Sequence, residues 1–411
     1  MKKVRTTSHP DRKKSRVNKV LLFTMLALVT VSIGYTQGPE NINLLLCGAL
    51  VLSPLVLIIK ANRIFLPWID VPFLLVCAWV LTVPAIFHPD TVRITTVLFT
   101  CAYCIFFMMF ARVARDSGLP RKSLPDFAKI IIYAFFAMLI TQQACVLFGW
   151  PVINSGCVYP ELPWKLNSLS AEPSHTTLTL CFVMFIYTQS IRTISPHIGL
   201  WQSLKSEYML WLCWLWTIFT TYNATAFVLA PMAILPFITG RNIWKYAIAA
   251  CVVVTAIVLI PRDVYTHIDR IRDFGAAAAR LDDRGMIEAD GSMASRFVPT
   301  IWGAQALKPD TELVTGHGID ADVYDIEDKP CDNHDNMGSA GFFKMTYNYG
   351  LPCALFLWIG IGVATLSRRK WWTIVSFLYA LHFSADFNMQ HLWMIICYAL
   401  AYKSIVCHEK L

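Results

Sequence analysis

Charge is scarce in this sequence: only 15% of its 411 residues are Asp, Glu, Lys or Arg. Hydrophobic residues make up 56%, and the mean hydropathy is +0.51. Such a composition excludes an ordinary soluble globular domain and a disordered chain, and it is typical of a polytopic membrane protein. Apolar runs of roughly bilayer length recur along the whole chain.

Motifs that bind nucleotides or metals are also lacking. The sequence contains no glycine-rich phosphate loop and no Cys/His cluster with metal-ligand spacing. The acidic residues Asp320, Asp322, Asp325 and Asp328 match no EF-type calcium loop, and we interpret them as a solvated acidic face. We therefore expect no cofactor and no metal ion.

Cysteine is plentiful, but its placement argues against a disulfide scaffold. Eleven of the 13 cysteines fall in predicted spans or at the C-terminus, where they behave as small hydrophobes. The CxxC pair Cys101 and Cys104 lies inside an apolar run. Only Cys157 and Cys331 fall in predicted outer loops, where an oxidising compartment would allow them to form a disulfide.

Hydropathy predicts an all-α integral membrane protein with about twelve spans. The predicted spans cover residues 20–36, 43–59, 66–87, 91–112, 127–148, 174–194, 207–221, 224–239, 243–260, 340–366, 371–385 and 390–406. The domain boundaries are then a tail (1–19), spans 1 to 9 (20–260), a large loop domain (261–337), spans 10 to 12 (338–406) and a second tail (407–411).

The orientation follows from Lys and Arg, which resist translocation. The first 19 residues carry eight of them, and beside a span this tail is better explained as a cytosolic anchor than as a nucleic-acid-binding arm. Basic residues recur in every second loop, whereas the short outer loops between the predicted spans have none. We predict that both termini are cytoplasmic and that 149–173 and 261–337 lie on the outer face. The same parity requires a hairpin at Tyr222-Asn223 and not one long tilted helix.

The segment 261–337 contrasts with the rest of the chain. It holds sixteen Asp/Glu and eight Lys/Arg. Ile268, Ile271, Phe274, Ala278 and Leu281 recur at helical spacing, which predicts an amphipathic helix. A second helix is expected from about Ser292 to Pro309, with Met293, Phe297 and Ile301 on one face. We therefore predict a folded helical platform and not a linker.

Polar residues that can carry chemistry gather at the outer ends of the predicted spans. They are Glu172-Pro173-Ser174-His175, Arg296, the Gly316-His317-Gly318 turn, His334, and Asp386, Asn388, Gln390 and His391 in the last outer loop. Proton-coupled carriers place ionisable residues at mid-span, where this sequence has almost none, so interfacial chemistry is favoured over a transport pathway. Arg grips phosphate oxygens as a planar fork, and His or Glu can take a proton from a hydroxyl.

The order of these motifs resembles the O-antigen polymerase and O-antigen ligase superfamily. The matching pieces are Ser-Leu-Ser-Ala-Glu172-Pro173-Ser174, the hairpin Tyr222-Asn223-Ala224-Thr225, Ser295-Arg296 with Trp302, Gly316-His317-Gly318, His334-Asp335-Asn336 and Tyr349-Gly350-Leu351-Pro352. The hydropathy profile agrees over most of the chain, and sequence agreement is confined to these short motifs.

The resemblance implies a GT-C-like glycosyltransferase in the bacterial inner membrane, with one large periplasmic loop. Arg296 would bind pyrophosphate, and His334 or Glu172 would act as the base. Lys165 would supply a second cation, because the position where the family often has Arg is Lys165 or Asn167 here. Tyr222, Asn223 and His317 would line the pocket.

The function implied is polymerisation of undecaprenyl-pyrophosphate-linked repeat units of an O-antigen, capsule or exopolysaccharide, with inversion at the anomeric carbon. The partners would be the lipid-linked oligosaccharide, the bilayer and a chain-length regulator protein, with no nucleic acid. A ligase that transfers a finished glycan to a lipid or protein acceptor fits the sequence equally well. A transporter of such glycans and a non-catalytic envelope scaffold are further alternatives.

Overall fold

Helices make up most of the described chain. The computed structural model describes residues 9–33, 44–60, 67–154, 163–221, 225–259, 266–291, 294, 297–298, 301, 304–305, 307–319, 321, 341–368, 370–383 and 390–409. These residues contain no β-strand, and the one β-type pairing among them is an isolated bridge between Ser367 and Lys370. The predicted all-α class is therefore confirmed.

In the described part of the chain, ten α-helices precede the segment 261–337, here called the polar insert, and the others lie within it or follow it. The first are α1 (His9–Thr30), α2 (Leu44–Lys60), α3 (Val71–Phe87), a 3-10 turn (Pro89–Thr91), α4 (Ile94–Arg115), α5 (Ser123–Phe148), α6 (Pro173–Ile194), α7 (Leu200–Ser206), α8 (Tyr208–Thr220) and α9 (Thr225–Leu229), which continues as a 3-10 helix (Ala230–Phe237). The next are α10 (Ile243–Leu259), α11 (Thr266–Ala279), α12 (Asp283–Ala289) and α13 (Glu312–Thr315). The last are α14 (Gly341–Tyr349), α15 (Leu351–Thr365), α16 (Thr373–His382) and α17 (Gln390–Ala401), followed by a π-turn (Tyr402–Val406).

Three of these helices, α4, α5 and α6, are long and apolar enough to cross a membrane. Shorter apolar stretches of 10–17 residues lie in α1, α2, α3, α8, α9 with its 3-10 extension, α15 and α16. Large apolar side chains such as Leu98, Ile130 and Leu212 are exposed on the outside of the bundle, where hydrocarbon would cover them. The number of twelve spans stays a prediction.

Two of the differences between the helices and the predicted spans change the interpretation of the chain. Helix α4 begins at Ile94 and not at residue 91, so Arg93 lies in the connection before it. The connection between α3 and α4, which we predicted to be an outer loop without Lys or Arg, therefore contains Arg93. The predicted span 340–366 is two helices, because Gly350 between α14 and α15 has φ +82°, a conformation that ends a helix.

The chain reverses direction between α8 and α9. At one end of this pair, the Thr221 hydroxyl lies 3.0 Å from that of Thr177, in the first turns of α6. At the other end, Tyr246 of α10 interacts electrostatically with Arg192, in the last turn of α6. Helix α8 therefore runs along α6 in one direction, and the segment 225–237 returns in the other.

Helices α6 and α17 form the centre of the bundle. Every residue from Thr176 to Ser190 and from Leu392 to Ala401 is buried. A helix that is buried all round needs no polar face. Tyr103 of α4 stacks on Trp393 of α17, with ring centroids 5.3 Å apart and planes at 1°. The beginning of α6 is therefore held rigidly at one end of this core.

Polar contacts tie helices together at the end of the bundle where α4 stops, here called the basic end. The Arg112 guanidinium lies 2.6 Å from the buried Asp70 carboxylate. Asn18 of α1 donates to Asp116 O at 3.2 Å, and Ser404 donates to Ala114 O at 3.0 Å. Four segments that are distant in the sequence thus meet at the end of α4.

The polar insert has a small apolar core of its own. Phe274, Ala277, Met286, Ile287, Ala294 and Val298 are buried against one another. The predicted amphipathic helix corresponds to α11, but Leu281 does not belong to it. Because α11 ends at Ala279, Leu281 lies in a turn with φ +54° and is 74% exposed. Phe297 is also exposed, whereas Ala294 and Val298 are buried and the predicted Ile301 packs against them.

Candidate functional site

The end of the bundle opposite the basic end is formed by residues 88–93, 163–172 and 311–319 and is called the loop end. At least four helices begin or end there: α3 ends at Phe87, α4 begins at Ile94, α6 begins at Pro173, and α17 begins at Gln390. Most of the described candidate residues from the sequence lie at this end.

A buried loop, residues 165–171, leads into α6. Leu166, Asn167, Ser168 and Ser170 are each 3% exposed or less. Irregular backbone can be buried only if its polar groups are paired. Gln142 of α5 meets this need, because its amide oxygen accepts from Ser168 N at 2.8 Å and its Nε2 donates to Ile153 O at 2.8 Å and to Asn167 Oδ1 at 3.1 Å.

Asparagines complete the support of the same loop. Asn154 donates to Ser168 O at 2.8 Å and to Ser170 O at 3.1 Å. Asn167 donates to Ser170 O at 2.7 Å and to Ala171 O at 3.1 Å. The network fixes the backbone that presents the next residue, Glu172.

Glu172 is exposed and occupies the N-cap position of α6, with Pro173 in the first turn. Its side chain makes no capping hydrogen bond; the Ser174 hydroxyl donates to its Oε2 at 3.2 Å. Helix capping is the usual structural role of an acidic residue at this position, and the Glu172 side chain does not perform it. Lys165 is half-buried at the start of the same loop.

The Gly316-His317-Gly318 turn docks on the junction between α14 and α15. Gly316 and Gly350 both have positive φ, and a Cβ on either would overlap the other segment's backbone. His317 N donates to Tyr347 O at 2.9 Å, and Gly318 N donates to Asn348 O at 3.2 Å. Only glycine allows two backbones to approach so closely in these conformations.

His317 is fully engaged in this docking. Its ring stacks on Tyr347 with centroids 3.9 Å apart and planes at 5°. Its Nε2 lies 2.9 Å from Glu312 Oε2, and its Nδ1 lies 3.1 Å from Tyr347 O. Because both ring nitrogens and one ring face contact the protein, the His317 side chain fixes the position of the turn.

The connection between α3 and α4 reaches the same turn. His88 Nε2 donates to Gly316 O at 2.7 Å, and Gly318 is packed so closely against Thr91 that a Cβ there would overlap its hydroxyl. Arg93 follows two residues later and is exposed. Sequence reasoning missed this cation because it assigned residue 93 to a span.

Two histidines that were not predicted to interact meet at the loop end. The rings of His175 on α6 and His391 on α17 have centroids 4.5 Å apart, with planes at 63°. Both residues are half-buried. Each belongs to a polar cluster that the sequence placed at the outer boundary, but nothing in the sequence indicates that the two clusters touch.

The remaining predicted site residues, Arg296, His334, Tyr222, Asn223 and the cysteines Cys157 and Cys331, lie outside the described residues. Among the predicted residues that are described, Glu172 and Lys165 share one loop. His317 belongs to the glycine turn. Within the described part of the chain, no group of three or more His, Cys, Asp or Glu could hold a metal ion.

The loop end thus offers an exposed carboxylate on a rigid support, cations at Lys165 and Arg93, and a pair of imidazoles. Carboxylate and imidazole groups are proton acceptors near neutral pH. Comparison with protein-family models, with curated proteins and with solved structures found no match for this chain. The fold and the site therefore define an all-helical protein with helices able to span a membrane and a polar site at one end.

Proposed function

We propose that this protein is a membrane glycosyltransferase that polymerises undecaprenyl-pyrophosphate-linked oligosaccharide repeat units at the periplasmic face of the bacterial inner membrane. The observation that supports it most is the position of Glu172. This carboxylate is exposed, does not cap its helix, and is presented by a buried loop at the end of the central helix α6. The same loop carries Lys165.

The distribution of charge favours this proposal over a transporter. In α4, α5 and α6, the Asp, Glu, Lys and Arg residues lie near the basic end, at Arg112, Arg115, Asp126, Lys129 and Arg192. Transport pathways for protons or ions use ionisable groups at mid-span. The middle of these three helices offers none.

In the proposed reaction, a sugar hydroxyl of one lipid-linked unit attacks the anomeric carbon of the other. The bond from that carbon to the pyrophosphate oxygen breaks, and Arg296, helped by Lys165, stabilises the departing pyrophosphate. A proton acceptor takes the hydroxyl proton; the sequence offers Glu172 and His334 for this role. Direct displacement would invert the anomeric configuration.

The surface glycan of cells that carry single variants tests the proposal. We expect deletion of the gene, Glu172→Gln and Arg296→Lys each to shorten the glycan to single repeat units. Glu288→Gln is the matched control, since Glu288 is exposed on the insert and pairs with Arg284 at 3.2 Å. A ligase would instead leave long chains on the polyprenyl carrier, and unchanged glycan after deletion would refute both activities.

A further inference from the structure

The contact between His175 and His391 is not used by the function proposed above. His175 lies three residues after Glu172, in the first turn of α6, and His391 lies in the first turn of α17. Their ring centroids are 4.5 Å apart, and the ring planes meet at 63°. The pair therefore stands at the loop end beside the exposed carboxylate.

His391 is held firmly from behind. Phe383 stacks on it with centroids 5.6 Å apart and planes at 30°, and Tyr379 meets Phe383 edge-on at 5.1 Å. The neighbouring Gln390 donates to Leu28 O at 3.0 Å and to Val31 O at 3.1 Å, which ties the start of α17 to the end of α1. These contacts fix the orientation of the His391 ring, and therefore which part of this ring His175 contacts.

Packing alone is a poor explanation for two histidines here. The side chain that contacts His391 is the aromatic Phe383, which in turn packs on Tyr379, and a phenylalanine in place of a histidine would fill the same space without the cost of desolvating ring nitrogens. Two imidazolium ions in contact would repel each other, so the pair takes up one proton far more readily than two. Histidine also exchanges its proton near neutral pH.

The charged and titratable groups around the pair are few among the described residues. Glu172 lies on the same element as His175. His382 is exposed at the end of α16, with its ring 5.0 Å from that of Phe383. The end of α1 contributes only backbone carbonyls to Gln390.

We infer that His175 is the group that takes the proton from the attacking sugar hydroxyl, and that His391 is a positioning residue for it. This inference rests on the proposed glycosyltransferase function. As the hydroxyl oxygen bonds to the anomeric carbon, its proton passes to a ring nitrogen of His175. The carbon–oxygen bond to pyrophosphate breaks, and its electron pair leaves with the pyrophosphate. The imidazolium then releases its proton to water.

The test uses the full-length protein in nanodiscs with a lipid-linked repeat unit as substrate. We expect His175→Gln to lower the initial rate about 100-fold or more, without change in thermal stability. The wild-type rate should fall as the pH is lowered and the free imidazole is lost, and the residual activity of His175→Gln should lack this dependence. His391→Phe should lower kcat more than it raises KM and should move the pH at which the rate falls.

His197→Gln is the control, because His197 is exposed beyond the other end of α6, and it should retain the wild-type rate. If His175→Gln keeps more than half of the wild-type rate with the same pH dependence, the inference is wrong while the proposed function stands. If the wild-type protein forms no polymer, the proposed function fails and the inference fails with it. If His175→Gln does not fold, His391→Phe provides the test. If the rate of His391→Phe depends on pH in the same way as the wild-type rate does, the histidine pair takes no part in the proton transfer and the inference is wrong.

Discussion

At the scale of single residues, Gly316 and Gly350 should be the least replaceable glycines. Each has positive φ, and each leaves no room for a Cβ beside the other's backbone. Positive φ alone costs an alanine about 1–2 kcal/mol. We expect Gly316→Ala and Gly350→Ala to lower stability by more than that, measured as thermal unfolding in detergent.

A substitution at Gly118 separates the cost of positive φ from the cost of overlap between a Cβ and neighbouring backbone. It has φ +56° but open space where a Cβ would lie, so Gly118→Ala should show the conformational cost alone. Equal destabilisation by all three substitutions would mean that the close approach of the glycine turn to the α14–α15 junction does not exist in the folded protein.

The ion pair between Asp70 and Arg112 should respond unequally to loss of either partner. The Asp70 side chain is fully buried, whereas Arg112 is 20% exposed. Removing one partner of a buried pair costs about 3–5 kcal/mol. We expect Arg112→Leu to approach this cost in free energy of unfolding. Asp70→Asn should cost less, since the Arg112 side chain can reach solvent.

Replacing both Asp70 and Arg112 should recover most of the lost free energy of unfolding, because no buried charge is then left without its partner. Arg115→Leu is the comparison, since Arg115 and its partner Asp116 are both exposed at 42% and 59%. Such surface pairs contribute about 1 kcal/mol or less. A double variant no more stable than Arg112→Leu would contradict this account of the pair.

Some residues at the loop end were predictable, and others were not. Glu172 and the glycine turn stand out because their local patterns, an acid before Pro173 and Gly-x-Gly, have direct backbone consequences. The contact of His175 with His391 joins residues far apart in the chain, and only the packing of α6 against α17 creates it. His317 was expected to line a pocket, but its contacts with Tyr347 and Glu312 depend on how the turn docks.

At the scale of elements, the buried loop 165–171 should depend on Gln142. Replacement of this amide by an apolar side chain removes the partner of Ser168 N, and each buried polar group left unpaired costs about 1–3 kcal/mol. We expect Gln142→Leu to lower the unfolding temperature. By the proposed function, it should also abolish polymer formation, because the loop positions Glu172.

Gln143 provides a matched control. It is the next residue on α5, and its side chain accepts from Trp216 Nε1 at 3.2 Å on the exposed face of the bundle. Gln143→Leu should leave both stability and polymer nearly unchanged. Similar losses in the two variants would show that the buried network is not what holds the loop.

Elements were predicted well where hydrophobicity was continuous and less well where the backbone bends. The apolar runs located α4, α5 and α6 to within a few residues. The break at Gly350 was missed because the sequence is apolar on both sides of it, so hydropathy does not change there. The amphipathic pattern located α11, but extended it to Leu281, which a turn removes from the helix.

At the scale of the whole molecule, the bundle has two chemically different ends. The basic end gathers Arg112, Arg115, Arg192 and Lys403, whereas the loop end carries Glu172 and the glycine turn. Lys and Arg favour the cytoplasmic side of a membrane. We therefore expect the loop end to face the periplasm.

Thiol labelling in intact cells tests this orientation. Asp90 and Asp116 are exposed at the two ends of α4, and each is replaced by cysteine in a background whose own accessible thiols have been removed. A membrane-impermeant maleimide should label Asp90→Cys in intact cells and label Asp116→Cys only after the cells are opened. Because α4 is one continuous helix of 22 residues, labelling of both positions from outside would mean that α4 does not cross the membrane, and the reverse pattern would place Glu172 in the cytoplasm, away from any periplasmic glycan.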